Sequence, residues 1–328
     1  MTQAYVCNET SEKPKPSFIV GPGGVPIPQI NLLKHLAPNG QIKLMCITWN
    51  MASRSQISLS KICELAASRD VSERSDLIAF SLQELPVTNA KYHQEAVQTL
   101  SDSLRDTHRI FCWVRKWTQM LMVFIRPTLI KYASPPQWQF ISTSVIVKPM
   151  RTKGAIAVTF QLFQTTIALV SCHLSHGPLV YRRNDYLKIY DTLKYCVKKL
   201  FWFGDMNFRI LDRRRFDVLK EHNRFSSYSQ IFTDLLADDE LTIEKTKGNI
   251  FEGFTEAEIC FPPTHKFIIG TDEYVCNRIP SYTDRILYLS RENGTIRPIV
   301  YNALYDENSS DHKPVFAIFN VRVSDCRD

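Results

Sequence analysis

Beyond about position 40, short apolar runs rich in β-formers alternate with stretches whose apolar residues recur every three or four positions. Positions 42–50 and 76–83 are predicted strands. Ala90, Ala96, Val97, Leu100 and Leu104 share one face of a predicted helix over 89–105. Further strands are expected over 109–114, 120–125, 140–147, 155–163 and 166–173. Tyr186, Ile189, Leu193 and Val197 form the stripe of a second helix over 181–199, and 200–203 reads as a short buried strand. Helical patterns near Phe216 and Gln230 precede an irregular, proline-containing region at 261–266, and strands return at 285–289, 296–300 and 314–323.

Meandering strands with interspersed helices indicate an α/β or α+β domain with much antiparallel pairing. The beginning of the chain differs. There Pro14, Pro16, Gly21, Pro22, Gly23, Gly24, Pro26 and Pro28 disfavour helix and central strand alike. The expected organisation is a Pro/Gly-rich arm over 1–40, one domain over 41–323 and a tail over 324–328.

With 328 residues, 44% of them hydrophobic, the chain can bury a sizeable core. Its 40 Lys and Arg exceed its 33 Asp and Glu, for a formal charge of +7. This mild excess suits an anionic partner, whether nucleic acid, phospholipid headgroup or inositol phosphate, and equally a merely solvated surface. The 9 cysteines are odd in number and scattered, without CxxC or Cys/His clustering. That argues against a disulfide framework or zinc site and for a reducing compartment. MTQAYVCNET lacks a basic start and an apolar run, so no signal peptide is expected. No apolar stretch approaches the ~20 residues that span a bilayer, so membrane contact is expected to be peripheral.

Chemically useful residues fall where apolar strands stop or start. Asn50 ends the first predicted strand, Glu84 follows the second and His173 closes another. Asp205 and Asn207 follow 200–203 directly, Asp284 heads a later strand, and Asp311 and His312 precede the last. If these strands share a sheet edge, the side chains converge on one pocket. Glu84, helped by Asn50, is a hard oxygen set suited to Mg²⁺, which keeps most of its waters. Such an ion polarises a phosphoryl group and offsets charge on the leaving oxygen. Asp205 can orient and deprotonate a water, and Asn207 can donate to a phosphate oxygen. His312, held in its tautomer by Asp284 or Asp311, can stabilise charge on phosphorus, and His173 can do so from another side. Singly, each residue reads as well as a turn or solvated loop position. Together they point to metal-assisted phosphoryl transfer.

At these residues the chain resembles the inositol polyphosphate 5-phosphatases, within the deoxyribonuclease/apurinic-endonuclease-like superfamily. The motifs are Trp202-Phe203-Gly204-Asp205-Met206-Asn207-Phe208-Arg209, Arg278-Ile279-Pro280-Ser281-Tyr282-Thr283-Asp284-Arg285 and Ser310-Asp311-His312-Lys313-Pro314. Thr48-Trp49-Asn50-Met51, Leu82-Gln83-Glu84-Leu85, Lys153-Gly154-Ala155, Arg183-Asn184-Asp185-Tyr186 and Pro263-Thr264-His265-Lys266-Phe267 support them. Ser281-Tyr282-Thr283-Asp284-Arg285 is most similar to the type IV, phosphoinositide-preferring branch.

The resemblance implies a four-layer α-β-β-α sandwich with two mixed sheets face to face. It implies Mg²⁺ at Glu84 and Asn50, with Asp205 activating water and Asn207 and His312 holding the scissile phosphate. Asp284 would orient His312, His173 would stabilise the transition state, and Asp311 would sit beside metal and base. Lys266 and Arg278 match a 4-phosphate grip, Lys153 a basic position near the headgroup, and Arg209, Arg183 and Asn184 supporting positions. The implied activity is removal of the 5-phosphate from phosphoinositides such as phosphatidylinositol 4,5-bisphosphate and 3,4,5-trisphosphate. The implied setting is cytoplasmic, peripheral at the cytosolic face of membranes. A monomer without a nucleic-acid partner is expected.

Three departures bear on specificity. His265 stands where the family usually has Tyr, Cys276 where it commonly has Lys, and His173-Leu174-Ser175-His176 is one residue shorter than the usual His-Leu-x-x-His. Among rival readings, Cys63 and Arg69 fit Cys-x5-Arg, but the intervening Glu64-Leu65-Ala66-Ala67 reads as helix. A thiol phosphatase instead needs a glycine-rich phosphate cradle. A nuclease of the same superfamily shares the metal chemistry but lacks the 278–287 wording. A catalytically silent phosphoinositide-binding module would not need Glu84, Asp205, Asn207 and His312 all intact.

Overall fold

The computed structural model describes residues 2–6, 19–20, 24–54, 59–67, 74–86, 90–143, 152–193, 198–212, 214, 217, 234–292 and 294–323. Strands, numbered along the chain, form two large mixed sheets. The first runs β1 (Thr2–Val6), β6 (Arg109–Lys116), β7 (Gln119–Ile125), β5 (Leu77–Gln83), β4 (Gln41–Asn50), β15 (Val315–Arg322), β14 (Ile296–Ala303). The second runs β12 (Thr255–Glu256), β13 (Asp284–Ser290), β11 (Lys199–Asp205), β10 (Thr165–His173), β9 (Gly154–Leu162), β8 (Gln137–Ser142). β2 (Ile19–Val20) and β3 (Pro26–Ile27) pair as a small ribbon.

Side-chain alternation along each strand builds the layers. Leu44 and Cys46 of β4, Leu77 and Ala79 of β5, Ile167 and Leu169 of β10, and Phe201 and Phe203 of β11 meet in the core between the sheets. The intervening residues face outward. Ile47, Trp49, Ile78 and Phe80 pack under α2 (Ser60–Ala66) and α3 (Ala90–Leu104). Ala168, Val170, Leu200 and Trp202 pack under α5 (Leu179–Leu193), which follows the short α4 (Pro127–Ile130) in chain order, joined by Leu241 of α6 (Glu240–Thr246). The result is the expected α-β-β-α sandwich.

The inward rows change character at one end. In β4 the row passes from Leu44 and Cys46 to Thr48 and Asn50, and in β5 from Leu77 and Ala79 to Ser81 and Gln83. In β10 it ends in Ser171 and His173, and in β11 in Asp205. These strands form the parallel pairs of the two sheets, β4 with β5 and β10 with β11, so their C-terminal ends lie side by side. The polar rows satisfy one another across the gap: Ser81 Oγ lies 2.6 Å from Ser171 Oγ, and Gln83 Nε2 donates to Ser81 Oγ at 2.6 Å. A polar pocket therefore opens at the carboxyl ends of these strands, the usual ligand position in sheets with crossover helices.

Three expectations need correction. The helix predicted over 181–199 overruns, because Lys199 opens β11, where it is buried and donates to Thr295 Oγ1 at 3.0 Å. The proline-rich arm was expected to lack helix, yet α1 (Ile30–Leu36) follows Pro28 and sends Leu33 and Leu36 into the central core. Their spacing is helical, and the prolines end just before it. The strand predicted over 140–147 begins earlier, at Gln137, and its last positions lie outside the described residues. The helical patterns near Phe216 and Gln230 and the tail over 324–328 also lie outside them. Among the described residues no helix is long and apolar enough to cross a membrane.

Candidate active site

One register row crosses four adjacent strands of the second sheet: Gly154 of β9 opposes His173 of β10, His173 opposes Asp205 of β11, and Asp205 opposes Asp284 of β13. Pairing alone thus brings together residues far apart in sequence. Gly204 permits it, because a Cβ there would meet the Cys172 carbonyl oxygen at 2.0 Å, at φ +153. Gly204→Ala is expected to pry β10 from β11 and cost about 1–3 kcal/mol, as overpacking does. A thermal midpoint equal to wild type would contradict that closeness.

Asp205 is the hub. Its Oδ2 accepts from Asn50 Nδ2 at 2.8 Å, across the two sheets, and lies 3.3 Å from His173 Nε2. Its Oδ1 accepts from the Asn207 backbone N–H at 3.0 Å. Burial alone would raise this carboxyl, but His173, His312 and Lys153 outweigh it and hold Asp205 well below the carboxylate range. His173 is the opposite case. Burial, then the cation of Lys153 in contact with its Nε2, lowers it, against the opposing pull of Asp205.

Asn207 has φ +58 and donates from Nδ2 to Leu174 O at 3.0 Å, while its Oδ1 accepts from Arg209 Nη2 at 2.6 Å. Arg209 Nη1 also donates to His265 Nδ1 at 2.8 Å, leaving His265 Nε2 as the N–H of that ring. On the facing side His312 Nδ1 donates to Asp284 Oδ2 at 2.9 Å. Thr283 and Thr264 hydroxyls donate to the same oxygen, at 2.8 and 3.0 Å. Burial pulls His312 down, yet Asp284 prevails and lifts it to about 9, so the ring is an imidazolium at neutral pH. The His265 and His312 rings lie 4.2 Å apart.

Glu84 and Asn50 suit a small hard cation. Glu84 sits just past β5 with left-handed backbone, φ +52, and its carboxylate, 38% exposed, lies 3.8 Å from His173 Nε2. Asn50 Oδ1 accepts from the Ala52 backbone N–H at 3.0 Å. One carboxylate and one amide oxygen at an open strand end fit Mg²⁺, which retains several waters. Two other groups hold ligand atoms within 4.8 Å of one another, Asp205 with Asp284 and His312, and His265 with Asp311 and His312. Both require His312, whose protonated ring is a poor ligand.

Lys266, Arg278, Arg209, His265 and His176 line a cavity of about 530 Å³. Lys266 Nζ lies 3.0 Å from Asp311 Oδ2, and Arg278 is exposed. Two of the supporting residues stand apart from this cluster. Arg183 pairs with Glu244 of α6, and Asn184 is exposed; no polar contact among the described residues joins either to the cluster. The neighbouring Arg182, 1% exposed, does the structural work instead. It donates to Gly177 O at 2.6 Å and to Glu240 Oε2, which also accepts the Arg209 backbone N–H at 2.9 Å. Asp185 accepts from Ser175 N at 2.7 Å, and Arg285 donates to Asp239 and Glu256 at 2.8 and 2.6 Å beside Asp284. Lone charged residues in apolar stripes were the available signal for this network. Cys63 is buried within α2, and burial raises its thiol, which removes the thiol-phosphatase reading.

Residues 47–318 match the endonuclease/exonuclease/phosphatase family 2. The chain is 32% identical over 320 residues to phosphatidylinositol polyphosphate 5-phosphatase type IV of Mus musculus, covering 90% of this chain and 48% of that protein. It therefore spans about half the length of that relative. Among solved structures, the inositol polyphosphate 5-phosphatase domain of SpSynaptojanin, in complex with inositol (1,4)-bisphosphate and calcium ion, superposes with TM-score 0.70 at 24% identity, covering 86% of this chain and 84% of that one. Cimex nitrophorin, as a ferrous NO complex, superposes with TM-score 0.72 at 24% identity over 87% of this chain and 100% of that one. One fold thus carries different ligands, and the side chains at the strand ends must decide the chemistry.

Proposed function

Because this chain belongs to the endonuclease/exonuclease/phosphatase family 2, we propose that it is a Mg²⁺-dependent phosphatase that removes the 5-phosphate of phosphoinositides. Phosphatidylinositol 4,5-bisphosphate and 3,4,5-trisphosphate are the expected substrates. The observation that carries this reading is the row His173–Asp205–Asp284 with His312 hydrogen-bonded to its end and Asn50 reaching Asp205 from the other sheet. The type IV 5-phosphatase similarity supports the substrate class.

In this reading Glu84 and Asn50 hold the cation, which when bound polarises the phosphoryl oxygens. Asp205 orients the attacking water. A carboxylate held so acidic is a weak base, so it aligns the water first and accepts its proton only as the P–O bond forms. The second Nδ2 hydrogen of Asn207 and the His312 imidazolium donate to the phosphoryl oxygens, offsetting the charge that develops there. His173 and Lys153 flank the attacked group, and Asp311 bridges towards Lys266.

Lys266 and Arg278 grip the neighbouring 4-phosphate in the cavity, with the His265 Nε2–H in place of a phenol. The proposal includes a setting at the cytosolic face of membranes, in peripheral contact, with 41–323 as the catalytic domain.

The test is phosphate release across inositol lipids and soluble inositol phosphates, with and without Mg²⁺, set beside duplex DNA. Metal-independent release, or faster cleavage of DNA, removes the proposal. Lys266→Ala is expected to lower kcat/KM about 10–100-fold on substrates carrying a 4-phosphate, the worth of a charge-assisted contact. Substrates lacking that group should be nearly unaffected. Equal losses on both would detach Lys266 from specificity.

A further inference from the structure

The second sheet ends in β8, whose outer edge borders a cavity of about 720 Å³ that the phosphatase reading leaves unused. Residues 138–142 of β8 line it in unbroken succession. Successive side chains of a strand face opposite ways, so a groove touched by all of them runs along the strand's edge. Among the described residues β8 pairs only with β9, its sequence QWQFIS holds no charge and no proline, and its first three residues are exposed. Edge strands are ordinarily blunted by charge, proline or a bulge. β14, at the edge of the first sheet, shows all three, with Arg297, Pro298 and a register shift after Pro298. Among the described residues the charges lining the β8 groove have one sign: Lys116 at the end of β6, standing 5.8 Å over the Phe140 ring, and Lys188 of α5.

We propose that the β8 edge docks an extended acidic segment of a partner protein as an added strand. Main-chain pairing along β8 supplies the attachment, and carboxylates at alternate positions meet Lys116 and Lys188. Those lysines disfavour a second copy of this chain, because a twofold β8–β8 pairing brings like charges together. A lipid surface offers no N–H and C=O ladder to an open strand edge. The inference is independent of the catalytic reading.

The test pans a displayed random peptide library, about ten residues long, on the full chain, on Trp138→Lys and on the double variant Lys116→Glu/Lys188→Glu. Trp138 is 37% exposed, so a lysine there adds the natural edge-blunting charge without disturbing the core. Enriched peptides should carry Asp or Glu at alternate positions, slow amide exchange over 137–142, and bind Trp138→Lys about tenfold more weakly. The double variant should prefer Lys-bearing peptides, and all variants should keep wild-type turnover on a soluble inositol phosphate. No enrichment over Trp138→Lys, or enrichment without acidic alternation, overturns the proposal. So does self-association through this edge, seen by sedimentation, or binding to anionic vesicles that the same variants abolish. Loss of turnover together with binding would assign the lysines to the phosphatase pocket instead.

Discussion

Asp205→Asn is expected to lower turnover by about 10²–10⁴-fold, the range seen when a positioned acid–base group is lost, while the chain stays folded. The substitution is nearly isosteric and keeps the acceptor for the Asn207 backbone N–H, now 3.0 Å from Oδ1. The new amide would face Asn50 Nδ2, which donates to Oδ2 at 2.8 Å. Turning over the Asn50 amide resolves that donor–donor conflict at the cost of its bond to Ala52 N and of the amide oxygen proposed for the cation. What cannot be recovered is the negative charge, held ionised by His173, His312 and Lys153 in a fully buried position. Because Asp205 stays ionised far into acid, it should contribute no acidic limb to the wild-type rate profile near neutral pH. Phosphate release from an inositol lipid in Mg²⁺, with circular dichroism to verify folding, checks both halves. A folded variant keeping more than about a tenth of wild-type turnover would remove Asp205 from the water-orienting role.

The parity of the strands explains how much of this was legible without coordinates. In β4, β5, β10 and β11 the inward row is apolar until its last positions and then turns to Asn50, Gln83, His173 and Asp205. A period of two with a polar end is visible in one dimension, so the strands and the candidate residues could be read together. The partners of those residues could not. Arg182 and Glu240 are 58 positions apart, and Asn50 and Asp205 are 155 apart. Periodicity puts Arg182, four residues before Tyr186 and seven before Ile189, on the apolar stripe, but it does not say which distant acids meet it or its neighbour Arg183. One step of 100° around α5 separates a buried clamp on the Gly177 and Arg209 segments from a half-exposed pair with Glu244. The same locality misplaced Lys199, whose charge reads as a helix surface until its place in β11, opposite Ser290, is known.

Asp284→Asn should cut turnover by up to ~10⁴-fold, as loss of a histidine's carboxylate partner can, and should move the alkaline limb of kcat/KM to lower pH. In the wild type, burial disfavours the His312 imidazolium, but the Asp284 carboxylate 2.9 Å from Nδ1 more than compensates and sets the ring near 9. The phosphoryl group is held by the charged ring, so activity should persist through neutral pH and fall as pH rises through about 9. The folded value lies above the ~6.5 of an unfolded chain. The pair's contribution to stability is therefore complete below that value and lost as pH climbs through about 9. Replacing Asp284 by its amide leaves burial unopposed by that carboxylate, so the ring should lose its proton at lower pH and the alkaline fall should begin earlier. Thr283 and Thr264 can still hydrogen-bond the amide oxygen, as they now bond Oδ2, so the strand end should remain ordered. An alkaline limb in the variant that coincides with wild type would mean that His312 is not the group whose charge holds the phosphoryl oxygens.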